Sequence, residues 1–229
     1  MGLFKRIRVS TGSGDTLLKL MRSAPEVVLS RKGFVCRGNA LKGFIGGGCR
    51  LSCEALEGAY QLNVDPSGAG DYFFPFLQDR ASYCDVPKNA PDGTLVVTYG
   101  MNGCALEVHD AGKANRFLHD SDGRALDSPG RRQAKCRITA DMYEGPGAVA
   151  HGRSLAFANS VDWDHDRPQW NSTCYEHTLI SVKSGNEWNV YQTAVVRKNQ
   201  VIGGMLTDKE AYEHVLKGPP LHVGVFGDA

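Results

Sequence analysis

The chain has 229 residues, 41% of them hydrophobic, with 26 Lys plus Arg against 25 Asp plus Glu. That supports a buried core of single-domain size, and the even charge balance argues against nucleic acid or an anionic membrane surface as partner. No apolar stretch approaches the roughly 20 residues of a membrane-crossing helix, which removes that class as well.

From the N-terminus, the charged start Met1 to Arg8 runs into Val9-Ser10-Thr11-Gly12-Ser13-Gly14-Asp15 instead of an apolar segment, so no classical secretory signal is read there. Arg6 stands where a myristoylation motif needs Ser or Thr. Residues 1–15 are expected to be flexible. Helical periodicity begins at Thr16 and runs to Met21, with Asp15 as the expected N-cap. Short β-branched or apolar runs punctuated by 27 glycines then predict strands at 25–29, 33–36, 58–64, 94–99, 104–108, 115–119, 154–158, 177–183, 186–197, 200–206 and 221–226. Tight turns are expected at Lys183-Ser184-Gly185-Asn186 and at Lys198-Asn199. The polar, aperiodic segment 120–135 reads as an exposed loop, and capping-box chemistry at Thr207 and Glu210 predicts a helix over 207–217. The expected fold is α+β: one domain over 1–229, a β-sandwich of mostly antiparallel strands with a few short flanking helices, monomeric.

Seven cysteines, at 36, 49, 53, 84, 104, 136 and 174, make an odd set in a chain too large to need staples, which favours free thiols and a reducing compartment. Cys49 and Cys53 have no second pair at zinc-site spacing and read as small buried apolar residues.

Chemistry concentrates between Thr98 and His119. Pairing 104–108 with 115–119 around a loop at 109–114 sets Cys104 opposite His119, where Cβ atoms lie about 4.5–5.5 Å apart. A thiol sharing a proton with an imidazole is a nucleophile for acyl transfer. Gly103 lets the backbone approach a substrate and offers amide N–H groups to an oxyanion. Thr98 is placed to orient the imidazole. His109, five residues after Cys104 in a continuing strand, projects to the opposite face and is the weaker base.

Thr98-Tyr99, the Gly103-Cys104 step and His119 together resemble the catalytic signature of the cytotoxic necrotizing factor and Burkholderia lethal factor family of glutamine deamidase toxins. Asn102 stands where that family usually has Ser. The resemblance covers about residues 94–119. It implies a β-sandwich in which Cys104 is the nucleophile, His119 the base and then acid, and Thr98 the orienting residue, with no cofactor or metal. The implied substrate is a glutamine of a host protein, a Rho-family GTPase or a translation-initiation helicase among the family's targets. The implied setting is a bacterial effector, secreted or injected, that works in the host cytosol. Transglutamination through the same thioester is the neighbouring reaction.

Two other classes stay open at this point. Asp162-Trp163-Asp164-His165-Asp166 carries metal-ligating types and allows a metal-dependent hydrolase, and Trp163, Trp170 and Trp188 allow a non-catalytic binding module. The sequon Asn171-Ser172-Thr173 is read as carrying no function without a secretory signal.

Overall fold

Period-two burial organises most of the chain. In Gly47–Ala55, Cys49, Leu51 and Cys53 point inward while Arg50, Ser52 and Glu54 face solvent, as a half-buried strand requires. The structure, a computed structural model, describes residues 14–36, 44–121, 133–143, 169–202, 205–214 and 222–228, with backbone alone at 169–175, 206, 213 and 214. Three helices are described: α1 (Gly14–Ser23), α2 (Pro25–Leu29) and α3 (Ala140–Tyr143). The first seven strands are β1 (Phe34–Cys36), β2 (Gly47–Ala55), β3 (Tyr60–Asp65), β4 (Asp71–Phe73), β5 (Ala81–Pro87), β6 (Leu95–Tyr99) and β7 (Ala105–Asp110). The next six are β8 (Ala114–Asp120), β9 (Ala134–Ile138), β10 (Gln169–Ser184), β11 (Glu187–Ile202), β12 (Met205–His214) and β13 (His222–Gly227).

These strands form two sheets. The larger runs β1-β3-β2-β4-β6-β10-β11-β12, with β13 also on β11, and the smaller runs β5-β8-β7-β9. Pairing is antiparallel except at β1–β3 and β4–β6. Alternate residues of β6 separate two cores. Val97 packs with Leu17, Met21 and Phe73 on the helix side, and Val96 packs with Leu106, Phe117 and Trp188 between the sheets. The α+β sandwich expected from the strand pattern is the architecture observed.

Aromatic rings fill the centre of the inter-sheet core. Phe117 meets Trp188 edge-on at 5.3 Å and Phe226 at 5.5 Å, in the tilted arrangements that the ring quadrupole favours. Trp188 is fully buried there, so its expected part in a ligand surface is replaced by a packing role. Asp228 ties the same region across the sheets, accepting bonds from Asn115 Nδ2 at 2.9 Å and Trp188 Nε1 at 3.1 Å and pairing with Lys183.

Several local expectations change. Residues 25–29 are helical, not a strand: Pro25 occupies the first turn, where its missing N–H costs nothing, and Ala24 O accepts from Val27 and Val28. A five-residue apolar run has no period long enough to separate the two outcomes. The helix expected over 207–217 is instead strand β12 as far as His214, laid antiparallel on β11. Thr207 Oγ1 accepts from the Lys209 N–H in place of capping a helix, and sheet pairing overrides local propensity. The turn expected at Lys198-Asn199 lies inside β11, whose pairing shifts register between Asn199 and Val201. At Gly185, φ is +59°, and this residue opens the tight turn between β10 and β11 as expected.

Of the exposed loop expected over 120–135, residues 122–132 lie outside the described residues and both ends differ from the expectation. Asp120 and Ser121 are buried, Asp120 ending β8, while Ala134 and Lys135 already belong to β9. Gly14 and Asp15, expected in the flexible start, open α1. Strands β2, β4, β5 and β9 were not predicted. The expected strand at 154–158 and the cluster Asp162 to Asp166 lie outside the described residues, as does the side chain of Trp170.

An ion pair between half-buried Arg22 and buried Asp71 ties the helix layer to the sheet. Asp71, 2% exposed, receives Arg22 Nη1 at 2.5 Å and Nη2 at 2.6 Å, and also accepts the Leu95 N–H at 3.1 Å. Asp71→Ala leaves a guanidinium and a buried amide without this acceptor. The expected loss is about 1–3 kcal/mol in urea unfolding, and a loss below about 0.5 kcal/mol would show that the pair does not hold α1 to the sheet.

Candidate active site

The β7–β8 hairpin closes more tightly than its sequence suggested. Asp110 pairs with Asn115, Asp110 Oδ1 accepts the Gly112 N–H at 2.8 Å, Gly112 sits at φ +74°, and Ala111 N–H reaches Ala114 O at 2.9 Å. This short turn moves the register by two residues. Leu106, not Cys104, lies directly opposite His119. An even shift keeps every side chain on its face, so Cys104 remains on the inner side one diagonal step from His119.

Thr98 and His119 do meet. Thr98 belongs to β6 of the large sheet and His119 to β8 of the small one, and Thr98 Oγ1 lies 2.8 Å from His119 Nδ1 across the interior. Both residues are buried. In the tautomer whose Nδ1–H donates to Oγ1, Nε2 presents its lone pair, and Nε2 has no hydrogen-bond partner among the described residues. Burial holds the His119 imidazole down at about 4, so the ring is neutral at pH 7. An imidazolium that would ionise the thiol is therefore disfavoured in this state. A neutral imidazole acting as base is what the geometry offers.

Cys104 follows a sharp turn. Its N–H donates to Met101 O at 3.1 Å, and Gly103, the third residue of that turn, takes φ +82°, which side-chain-bearing residues avoid. The turn engages the Cys104 amide that was expected to face an oxyanion. The thiol is 1% exposed and points at Gly100 O, 3.7 Å away, and Asn102 O, 4.0 Å away. These contacts set the thiol against backbone carbonyls in a closed site. His109 faces away, as expected, with Nε2 3.0 Å from Glu107 Oε2.

Two residues that the sequence reading passed over hold the cysteine turn. Tyr143 of α3 donates its hydroxyl toward Cys104 O at 2.8 Å and also contacts Met101 O. His177 of β10 accepts the Met101 N–H on its carbonyl at 3.2 Å and donates its own N–H to Asn102 Oδ1 at 3.3 Å. Its ring stands 5.5 Å from that of Tyr143, and burial holds it too down at about 4, against the opposing effect of a bond to Gln192. His177 shares its parity with Leu179, a member of the inter-sheet core, and that parity was the available signal. It became meaningful only once β10 was paired with β6.

Of the other described thiols, Cys36, Cys49, Cys53 and Cys84 are buried and Cys136 is half-buried; burial pushes Cys49 and Cys53 up to about 12 and raises Cys136 as well. Among the described residues no group of His, Cys, Asp and Glu is arranged to hold a metal. No protein-family model matches this chain, and neither does any curated protein sequence.

Both buried histidines link stability to pH. Each binds a proton at about 6.5 when exposed and only at about 4 when folded, so between these values the unfolded chain holds more protons than the native one. Stability is full above pH 6.5 and falls as pH drops toward 4. Urea midpoints measured across that window should decline in the wild type and decline less in His177→Gln. Equal slopes in the two would show that His177 is not buried as a neutral ring. At neutral pH, Thr98→Val should cost about 1–3 kcal/mol, since it strips the imidazole of its buried partner without changing side-chain volume.

Proposed function

We propose that this chain is a cysteine-dependent protein glutamine deamidase, the activity that its Thr98, Gly103-Cys104, His119 pattern implies. The observation that carries the reading is the bond of 2.8 Å between Thr98 Oγ1 and His119 Nδ1. It joins residues of two different sheets and engages Nδ1, leaving Nε2 without a hydrogen-bond partner among the described residues. A threonine hydroxyl that orients a histidine from its Nδ1 side fits the third member of an acyl-transfer triad.

The chemistry then follows from the groups present. His119 Nε2 takes the Cys104 thiol proton as Sγ bonds to the carboxamide carbon, and the imidazolium so formed is stabilised by Thr98. The same proton passes to the departing nitrogen, the C–N bond breaks, and ammonia leaves a thioester on Cys104. Water attacks that thioester with His119 again as base. The C–S bond breaks, the proton returns to sulfur, and the side chain leaves as glutamate. Because burial disfavours the charged pair at rest, proton transfer accompanies attack instead of preceding it. Opening of the site must come first, since both Cys104 and His119 are buried.

A folded protein with an accessible glutamine is the proposed substrate, and the cytosol of a target cell the proposed place of work. Replacing a neutral amide by a carboxylate at a binding surface rewrites the local electrostatics of the target. The test is peptide mapping of lysate proteins after incubation with wild type or Cys104→Ser, with a chelator present in a parallel arm. Conversion of one glutamine to glutamate by the wild type alone, unaffected by the chelator, is the expected result. Conversion by both proteins, or by neither, sinks the reading. On the identified target, Thr98→Val should lower kcat by about 10²-fold or more with little change in KM.

A further inference from the structure

The segment between β4 and β5 crosses in front of the cysteine and the histidine. Phe74 is buried and donates its N–H to Val97 O at 3.2 Å, and Pro75 O accepts from Ser82 Oγ, a buried hydroxyl directly opposite His119 on β5. Beyond Phe76 the chain turns back, with Arg80 N–H on Leu77 O at 3.4 Å and Asp79 in the left-handed region at φ +59°. The backbone on either side of Phe76 is thus held, and its side chain is the part free to turn.

That side chain touches both ends of the site. The Phe76 ring lies 5.5 Å from the His119 ring, and its Cβ lies so close to Gly100 that a Cβ built there would sit 3.3 Å from it. Gly100 O is the carbonyl that the Cys104 thiol faces. His119, Cys104, Thr98 and Ser82 are each buried, whereas Phe76 is 37% exposed. It spans from solvent to the two groups that would react.

We propose that Phe76 is the substrate-contacting wall of this site, covering His119 in the closed state, displaced by an incoming carboxamide side chain, and then packed against that side chain's methylenes. The inference rests on Cys104 and His119 being the reacting groups. An exposed aromatic side chain rotates far faster than enzymes turn over, so opening here needs no backbone change. A wall of aromatic carbon accepts a neutral carboxamide and disfavours the carboxylate made from it, which helps product to leave. The ring also excludes water from His119, the physical origin of its neutral state.

Iodoacetamide, a small electrophile that itself carries a carboxamide, reads this access without any deamidation assay. Alkylation of the folded full chain at fixed pH is followed cysteine by cysteine by peptide mapping in wild type, Phe76→Ala and Phe76→Trp. Cys104 should react about tenfold faster in Phe76→Ala and more slowly than wild type in Phe76→Trp, with Cys84 protected in all three. The His119 ring-proton titration should move up toward the ordinary histidine value in Phe76→Ala. An unchanged Cys104 rate in both variants overturns the proposal, as does a rise shared equally by Cys84, which would mean a loosened fold. If Phe76→Ala does not fold, the slower rate in Phe76→Trp carries the test alone. Gated alkylation in a protein that deamidates nothing would refute the assigned reaction and leave the wall in place.

Discussion

A hydrogen bond of 2.8 Å between Thr98 and His119 spans the space between two sheets, and the arrangement of the site depends on it. Buried polar groups are costly unless paired, so an imidazole and a hydroxyl placed in an otherwise apolar layer hold one another to a single geometry. The layer around them leaves no slack, with Phe117, Trp188 and Phe226 packed on one side and Ser82 fixed to Pro75 on the other. His119 is thereby held from its Nδ1 side, at a strand position whose inward parity Cys104 shares across the hairpin.

The cysteine is held by a different set of contacts. Its turn is tied to β10 through the backbone of His177 and to α3 through the hydroxyl of Tyr143, while His119 is carried by β8. Cys104 and His119 therefore sit on separately supported pieces of the fold, joined by the β7–β8 hairpin. Burial accounts for the neutral state of the His119 ring in this closed form, because it penalises the charged imidazolium.

The strand content and the sandwich were legible from short β-branched and apolar runs between glycines, whereas β2 and β5, whose burial alternates with a period of two, carry charged and polar outward residues that hid them from that signal. Elements without a clear period were misread. Residues 25–29 have too few positions to separate helix from strand, and 207–214 carry helix-start chemistry that the pairing with β11 overrides. In the hairpin, Asp110 and Gly112 held the information that tightened the turn, yet the apolar pattern alone pointed to a register two residues away. The chemistry-bearing face survived that error only because the slip was even.

What the chain determined by itself is local: the residue types at 98, 103, 104 and 119, the inward parity of Cys104 and His119, and the demand for glycine at a left-handed turn before the cysteine. Side-chain period along a strand is set by backbone geometry, so it can be read without knowing the fold. The meeting of Thr98 with His119, the burial that keeps the imidazole neutral, the commitment of the Cys104 amide to its turn and the ring of Phe76 over the site were decided by the packing of one sheet on another. Those contacts join residues far apart in sequence, and no periodicity within one strand specifies which face of a second sheet it will meet.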